Sequence, residues 1–87
     1  MNKKQTYSIV TVSRITGVPK SKVRDWCNRH LTHVEWIQVG NMHHRRFTDE
    51  DVQAIGEIKR LIEEGSTLRS AAGKALAAIK KENEMKD

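Results

Sequence analysis

The chain is poor in cysteine and has no long apolar run. Its 87 residues include one cysteine, which excludes an internal disulfide framework and fits a reducing cytoplasm. No apolar run approaches the roughly 18 residues that span a bilayer. The lysines near the N-terminus are not followed by the apolar segment of a signal peptide. We therefore expect a cytoplasmic protein without a membrane partner.

Length and charge are the next constraints. The 87 residues make one small domain. We expect residues 1–6 to form a flexible N-terminal arm, residues 7–80 the folded domain, and residues 81–87 a polar C-terminal tail or the start of a truncated helix. The composition, 37% hydrophobic and 31% charged, is that of a globular protein. The net charge of +5 and the pI of about 9.7 favour a polyanionic partner.

Capping and turn residues predict two short helices in the first third of the chain. Thr11 or Ser13 is the predicted N-cap of the first helix, and Gly17 ends that helix as its C′ residue. Pro19 lies at the start of a second helix, with Ser21 as an alternative capping residue. Two short helices joined by such a turn form a helix-turn-helix pattern.

The second helix has one apolar stripe. Four residues recur at i, i+3, i+4 and i+7, which predicts a single buried face: Val23, Trp26, Cys27 and His30. The rest of this helix is polar and mostly basic. Trp36 and Phe47 are also predicted to lie in the core.

A β-hairpin is predicted after the second helix. Residues 34–39 are rich in β-branched and aromatic side chains, and the dipeptide at residues 40–41 (Gly-Asn) tolerates the positive φ of a tight turn. The returning strand, residues 45–47, begins with two arginines. Because side chains alternate along a strand, Arg45 and Arg46 are expected on opposite faces of the hairpin, so one of them faces away from any ligand that the other holds.

Two further helices complete the predicted fold. Thr48 and the acidic residues after it open the third helix, which ends at Gly65. Ser66 or Thr67 caps the fourth helix, whose apolar stripe is Leu68, Ala72, Ala75, Leu76 and Ile79. The expected fold class is mostly α: a winged helix-turn-helix with four helices and a short two-stranded β-hairpin wing.

Three segments of the chain resemble the DNA-binding domain of the MerR family. Residues 12–26 (VSRITGVPKSKVRDW) are similar to the family's helix-turn-helix, with its Gly-Val before the second helix. Residues 44–52 (HRRFTDEDV) are similar to its wing and the acidic helix start that follows. Residues 58–68 (IKRLIEEGSTL) are similar to the end of its third helix and the turn into the fourth. The resemblance covers residues 7–79.

The resemblance implies a sequence-specific binder of double-stranded DNA that regulates transcription. Its second helix would enter the major groove and its basic wing would contact the phosphate backbone. Arginine offers a planar fork for phosphate or guanine, and lysine a point charge for phosphate. About five such contacts would give a slope of log K against log salt of roughly −4 to −5. The candidate DNA-contacting residues are Thr11, Ser13, Lys20, Ser21, Lys22, Arg24, Arg29, His43, His44, Arg45 and Arg46.

The sequence also departs from typical family members. Those members continue into a long helix that pairs two subunits and into an effector-sensing or metal-sensing region, whereas this sequence ends after the predicted fourth helix. We therefore expect no cofactor and no small-molecule effector within the chain. A homodimer or a cooperative assembly on DNA is an open alternative. A plasmid-partition (centromere-binding) or excisionase-like role, with association with a plasmid or the nucleoid, is another.

A zinc site is the main alternative chemistry. Cys27, His30 and His33 are spaced Cys-x2-His-x2-His, and His43 and His44 are further imidazoles that could complete a tetrahedral set. Core packing on the apolar stripe explains Cys27 and His30 equally well. We therefore expect no metal site.

Enzymes and protein-interaction modules are the other functional classes that a domain of this size could represent. The sequence shows no Gly-rich phosphate loop, no paired-carboxylate pocket and no nucleophile with an activating base, so we expect no enzymatic activity. A protein-interaction module is the stronger competitor, because the fourth helix is rich in small residues that allow another helix to approach closely. These are Ala71, Ala72, Gly73, Ala75, Ala77 and Ala78.

Overall fold

The computed structural model describes residues 5–84, apart from the side chains at positions 35, 39 and 80–84. The expected fold class is confirmed. The described residues form four helices and one two-stranded antiparallel sheet, in the order α1 (Ile9–Thr16), α2 (Lys20–Arg29), β1 (Glu35–Val39), β2 (Met42–Arg46), α3 (Asp49–Glu63) and α4 (Leu68–Glu84). Residues 1–4 of the expected arm and 85–87 of the expected tail lie outside the described residues.

Helix α1 begins earlier than the sequence predicted. Ser8 is its N-cap, in an extended conformation, and its hydroxyl accepts the Thr11 N–H at 3.3 Å. The prediction that Thr11 or Ser13 caps this helix was therefore wrong, because both residues lie within it. Gly17 ends the helix in the left-handed region (φ 75°), as predicted.

Helix α2 follows directly from the turn. The Pro19 carbonyl accepts the N–H groups of Lys22 and Val23, each at 3.0 Å, which starts the helix. Three members of the predicted stripe are buried, namely Val23, Trp26 and Cys27. The fourth, His30, is only half-buried, because it is the C-cap and the helix ends there.

The hairpin has a two-residue turn at residues 40–41, with Gly40 at φ 62°. Strand β2 is longer at its start than predicted, and Phe47 follows it instead of ending it. Phe47 is fully buried, as predicted, and it forms an isolated bridge with Tyr7: the Tyr7 N–H donates to the Phe47 carbonyl at 2.8 Å, and the Phe47 N–H to the Tyr7 carbonyl at 2.9 Å. Trp36 is 55% exposed, so its predicted place in the core was wrong.

Helix α3 opens with a capping box. The Thr48 hydroxyl accepts the Asp51 N–H at 3.2 Å, and the Asp51 carboxylate accepts the Thr48 N–H at 2.9 Å. The second Asp51 oxygen contacts His33 Nε2 at 2.7 Å, so this buried carboxylate also ties the α2–β1 loop to α3. The helix ends before Gly65, as predicted.

Helix α4 packs along α3 and completes the core. Thr67 accepts the Ser70 N–H at 3.2 Å, which confirms one of the two predicted caps. The face of α4 with Ala71, Ala72 and Ala75 is buried in the same cluster as Ile55 and Ile58 of α3. The small residues on its other side, Gly73, Ala77 and Ala78, are exposed. No helix in the described part of the chain has both the length and the hydrophobicity that a bilayer-spanning segment requires.

Candidate nucleic-acid interface

The exposed face of α2 is basic. Its buried side carries the apolar stripe, so helical spacing turns Lys20, Ser21, Lys22 and Arg24 outward, and all four are exposed. The acidic residue on this surface, Asp25, pairs with Arg29 one turn later at 3.0 Å. Arg29 thus has its charge balanced locally.

An open groove lies beside the hairpin, and the start of α1 and one residue of α2 also line it. Its volume is about 540 Å³. Arg24 lines it from α2, the first residues of α1 line it from below, and the hairpin forms the opposite wall. The lining residues are Ser8, Ile9, Val10, Arg24, Trp36, Met42, His43, His44, Arg45 and Arg46. The groove therefore combines an apolar component with several cationic or imidazole groups, and it brings α2 and the wing onto one surface.

The two wing arginines have different partners. Arg45 lies over the ring of its cross-strand partner Trp36, with 4.2 Å between the guanidinium carbon and the ring centroid, and its Nη2 donates to Asn28 Oδ1 on α2. Arg46 points to the segment before α1, where its Nε donates to the Thr6 hydroxyl and its Nη2 to the Thr6 carbonyl, each at 3.1 Å. Each guanidinium thus ties the hairpin to a different part of the helical body.

Comparison with known families decides what kind of domain carries this surface. The model of the MerR HTH family of regulatory proteins matches residues 7–81, from the Tyr7 bridge into α4. The chain belongs to the MerR HTH family. It is therefore a DNA-binding domain of the transcription-regulator type. A comparison with curated protein sequences gave no significant match.

Of the other predicted contact residues of this MerR-family domain, His43 and His44 line the groove, whereas Thr11 and Ser13 lie in α1. His43 and His44 are exposed on β2 and belong to opposite faces of the hairpin, since they pair with Gln38 and Ile37. Ser13 and Thr11 are half-buried and have partners within the fold. The Ser13 hydroxyl donates to the Val18 carbonyl at 2.6 Å, which braces the turn, and the Thr11 hydroxyl lies 3.2 Å from that of Ser8.

The roles of two residues near the groove, Trp36 and Asn28, were not predicted from the sequence. Trp36 was predicted to be buried, and Asn28 was treated only as part of a polar face. A two-residue turn at 40–41 fixes the register, so it places Trp36 opposite Arg45. That signal was available in the sequence. The partnership between Arg45 and Asn28 was not, because it depends on how the hairpin packs against α2.

The residues considered for zinc are not gathered into one site. Within the described part of the chain, no three His, Cys, Asp or Glu residues lie close enough together to hold a metal ion. Cys27 is buried in the core, and burial raises the pKa of its thiol to about 11, which disfavours the thiolate that zinc requires. His33 is engaged with Asp51. Core packing accounts for Cys27.

Proposed function

We propose that this domain binds double-stranded DNA with α2 in the major groove and with the hairpin on the adjacent phosphate backbone, as the DNA-reading part of a transcriptional regulator. One observation carries the proposal. Arg24, on the exposed basic face of α2, and Arg45 of the hairpin line the same groove. A major groove about 12 Å wide admits one helix and leaves the flanking backbone within reach of such a wing.

The chemistry of the outward side chains assigns their roles. Lys20 and Lys22 are exposed ammonium groups, suited to phosphate oxygens, which carry affinity but little sequence information. Arg24 can present two parallel donors to guanine O6 and N7, and we propose it as the residue that reads bases. His43 and His44 on the hairpin supply further N–H donors toward the backbone.

The size of the domain limits what one copy achieves. A single module of this kind buries roughly 600–1,000 Å² of protein surface on DNA, which supports only modest specificity. We therefore propose that two copies, or several adjacent sites, act together. The same interface would also serve a plasmid-partition or excisionase-like protein. The arrangement of the natural DNA sites, single operator or repeated array, separates these roles.

The test compares charge removal on two surfaces. Fluorescence polarisation with a labelled duplex selected from a random-sequence pool would be measured at several salt concentrations. The double variant Lys22→Ala/Arg24→Ala should lower affinity and reduce the magnitude of the salt slope by about 0.9, for the one phosphate contact that Lys22 makes. Loss of Arg24 should in addition relax the preference for the selected sequence.

The matched control removes the same charge elsewhere. Arg60 and Lys74 are exposed on α3 and α4, outside the groove. The variant Arg60→Ala/Lys74→Ala should bind DNA nearly as well as the unmodified protein. Equal losses for both double variants would show that only net charge matters and would contradict the proposed interface. Absence of binding by the unmodified domain at low salt would contradict DNA binding itself.

A further inference from the structure

The hairpin is held firmly at its base and projects from there. Val34 and Phe47, which flank the two strands, are buried in the core. Beyond them, every described side chain from residue 36 to residue 44 is exposed. The direction of the projecting part is therefore set by few contacts. One of these joins it directly to the DNA-facing helix, through Arg45 and Asn28.

Arg45 makes this connection with two parts of its guanidinium. The flat face lies over the Trp36 ring, with 4.2 Å between the guanidinium carbon and the ring centroid, while the edge donates through Nη2 to Asn28 Oδ1. Trp36 and Arg45 are paired across the strands, so the register keeps the two side chains next to each other. Trp36 thus holds the guanidinium in the direction of α2.

Asn28 lies where a link to the hairpin has the greatest effect on DNA binding. It is one helical turn after Arg24 and two turns after Lys20, so the three share one face of α2. A contact at Asn28 therefore fixes the hairpin relative to the same helix face that carries the proposed DNA contacts. Arg45 is also half-buried, whereas Lys20, Lys22 and Arg24 are exposed. Its guanidinium is less available to a phosphate than theirs.

We propose that Trp36, Arg45 and Asn28 form a latch that sets the angle between wing and recognition helix, and that Arg45 acts as a positioning residue and not mainly as a phosphate ligand. This inference rests on the proposed DNA-binding function. Two linked surfaces bind a rigid duplex best when both can engage at once. A latch already closed in the free protein removes the cost of ordering the wing on binding.

A double-mutant cycle tests the latch on DNA. Duplex affinity would be measured for Asn28→Ala, Arg45→Ala and the two combined. We expect each single variant to weaken binding about three- to tenfold, as for loss of one modest intramolecular contact. The combined variant should be no weaker than either, because both remove the same link. Gln53→Ala, an exposed neutral change on α3, is the control and should have no effect.

A conservative variant separates positioning from phosphate binding. Arg45→Lys keeps the positive charge but cannot stack on Trp36 and donate to Asn28 with one planar group. The latch predicts that this variant binds as weakly as Arg45→Ala. A phosphate ligand predicts recovery of affinity and of the salt slope in Arg45→Lys, and no effect of Asn28→Ala. Recovery by lysine, or additive losses in the cycle, would overturn the proposal.

A measurement without DNA separates this inference from the proposed function. Backbone ¹⁵N relaxation of the hairpin amides reports ps–ns motion in the free protein. Asn28→Ala and Arg45→Ala should both increase motion across residues 36–45, while Gln53→Ala should not. An unchanged hairpin in both variants would refute the latch even if DNA binding is demonstrated. A loosened hairpin in a protein that binds no DNA would leave the latch standing and contradict the DNA-binding role.

Discussion

Replacement of Asp51 by alanine should be the most destabilising polar substitution in this domain. The carboxylate is 7% exposed and has partners on both oxygens: the Thr48 N–H at 2.9 Å and His33 Nε2 at 2.7 Å. The alanine variant would leave the Thr48 N–H at the start of α3 without its acceptor, and it would remove the contact that holds the loop with His33 against α3.

The magnitude follows from those contacts. A hydrogen bond to a charged group contributes about 1.5–3 kcal/mol. The contact with His33 counts for less, because the His33 side chain is 52% exposed. Removing a buried charge also recovers part of its desolvation cost. We expect a net loss of roughly 2–3 kcal/mol, out of a total stability of about 4–13 kcal/mol for a domain of this length.

Urea and thermal unfolding followed by circular dichroism would measure this loss. For a domain of this size, 2–3 kcal/mol corresponds to a fall in Tm of roughly 8–24 °C. Thr48→Ala, which removes the reciprocal half of the capping box, should cost about 0.5–2 kcal/mol. His33→Ala should cost less than Asp51→Ala. A loss below about 0.5 kcal/mol for Asp51→Ala, or one smaller than that of Thr48→Ala, would refute the reasoning.

Two further predictions concern the tryptophans and the thiol. Trp26→Ala should destabilise the domain by about 3–5 kcal/mol, while Trp36→Ala should cost under about 1 kcal/mol, because the first ring is 6% and the second 55% exposed; equal losses in urea unfolding would contradict the assignment. Burial raises the pKa of Cys27 to about 11, against an ordinary value of 9.0. The folded protein therefore keeps this thiol protonated at pH values where the unfolded chain ionises it, so the free energy of unfolding falls as pH rises from 9 toward 11. Between pH 8.5 and about 10.5, the free energy of unfolding in urea should therefore fall less for Cys27→Ala than for the unmodified protein. If the two proteins show the same pH dependence, the thiol is not buried as described.

Much of the helical framework follows from local signals. Thr48 with Asp51 three residues later is a capping box in sequence as in structure, and Gly17 ends α1 because the chain needs a positive φ there. The cap of α1 was missed for a local reason too. Ser8 stands before the β-branched pair at residues 9–10, which looks like a strand, and Thr11 is chemically just as good a cap.

The errors at the site arise from tertiary packing. A strand that contains Trp36 has the same pattern whether its ring fills a core or lies on a groove, because β propensity describes both. Alternation separated Arg45 from Arg46 correctly, but it could not give Asn28 and Thr6 as their partners. Those partners are 17 and 40 residues away in the chain. Only the packed structure brings them into contact.

The bridge between Tyr7 and Phe47 also has a consequence for the order of folding. It closes a loop of about forty residues, and such a closure costs roughly 3 kcal/mol of chain entropy if the loop is unstructured. Helices α1 and α2 lie within that loop and shorten it when they pack together. We therefore expect the base of the wing to form late, after the helix-turn-helix. The packed helices would then determine where the hairpin lies relative to α2.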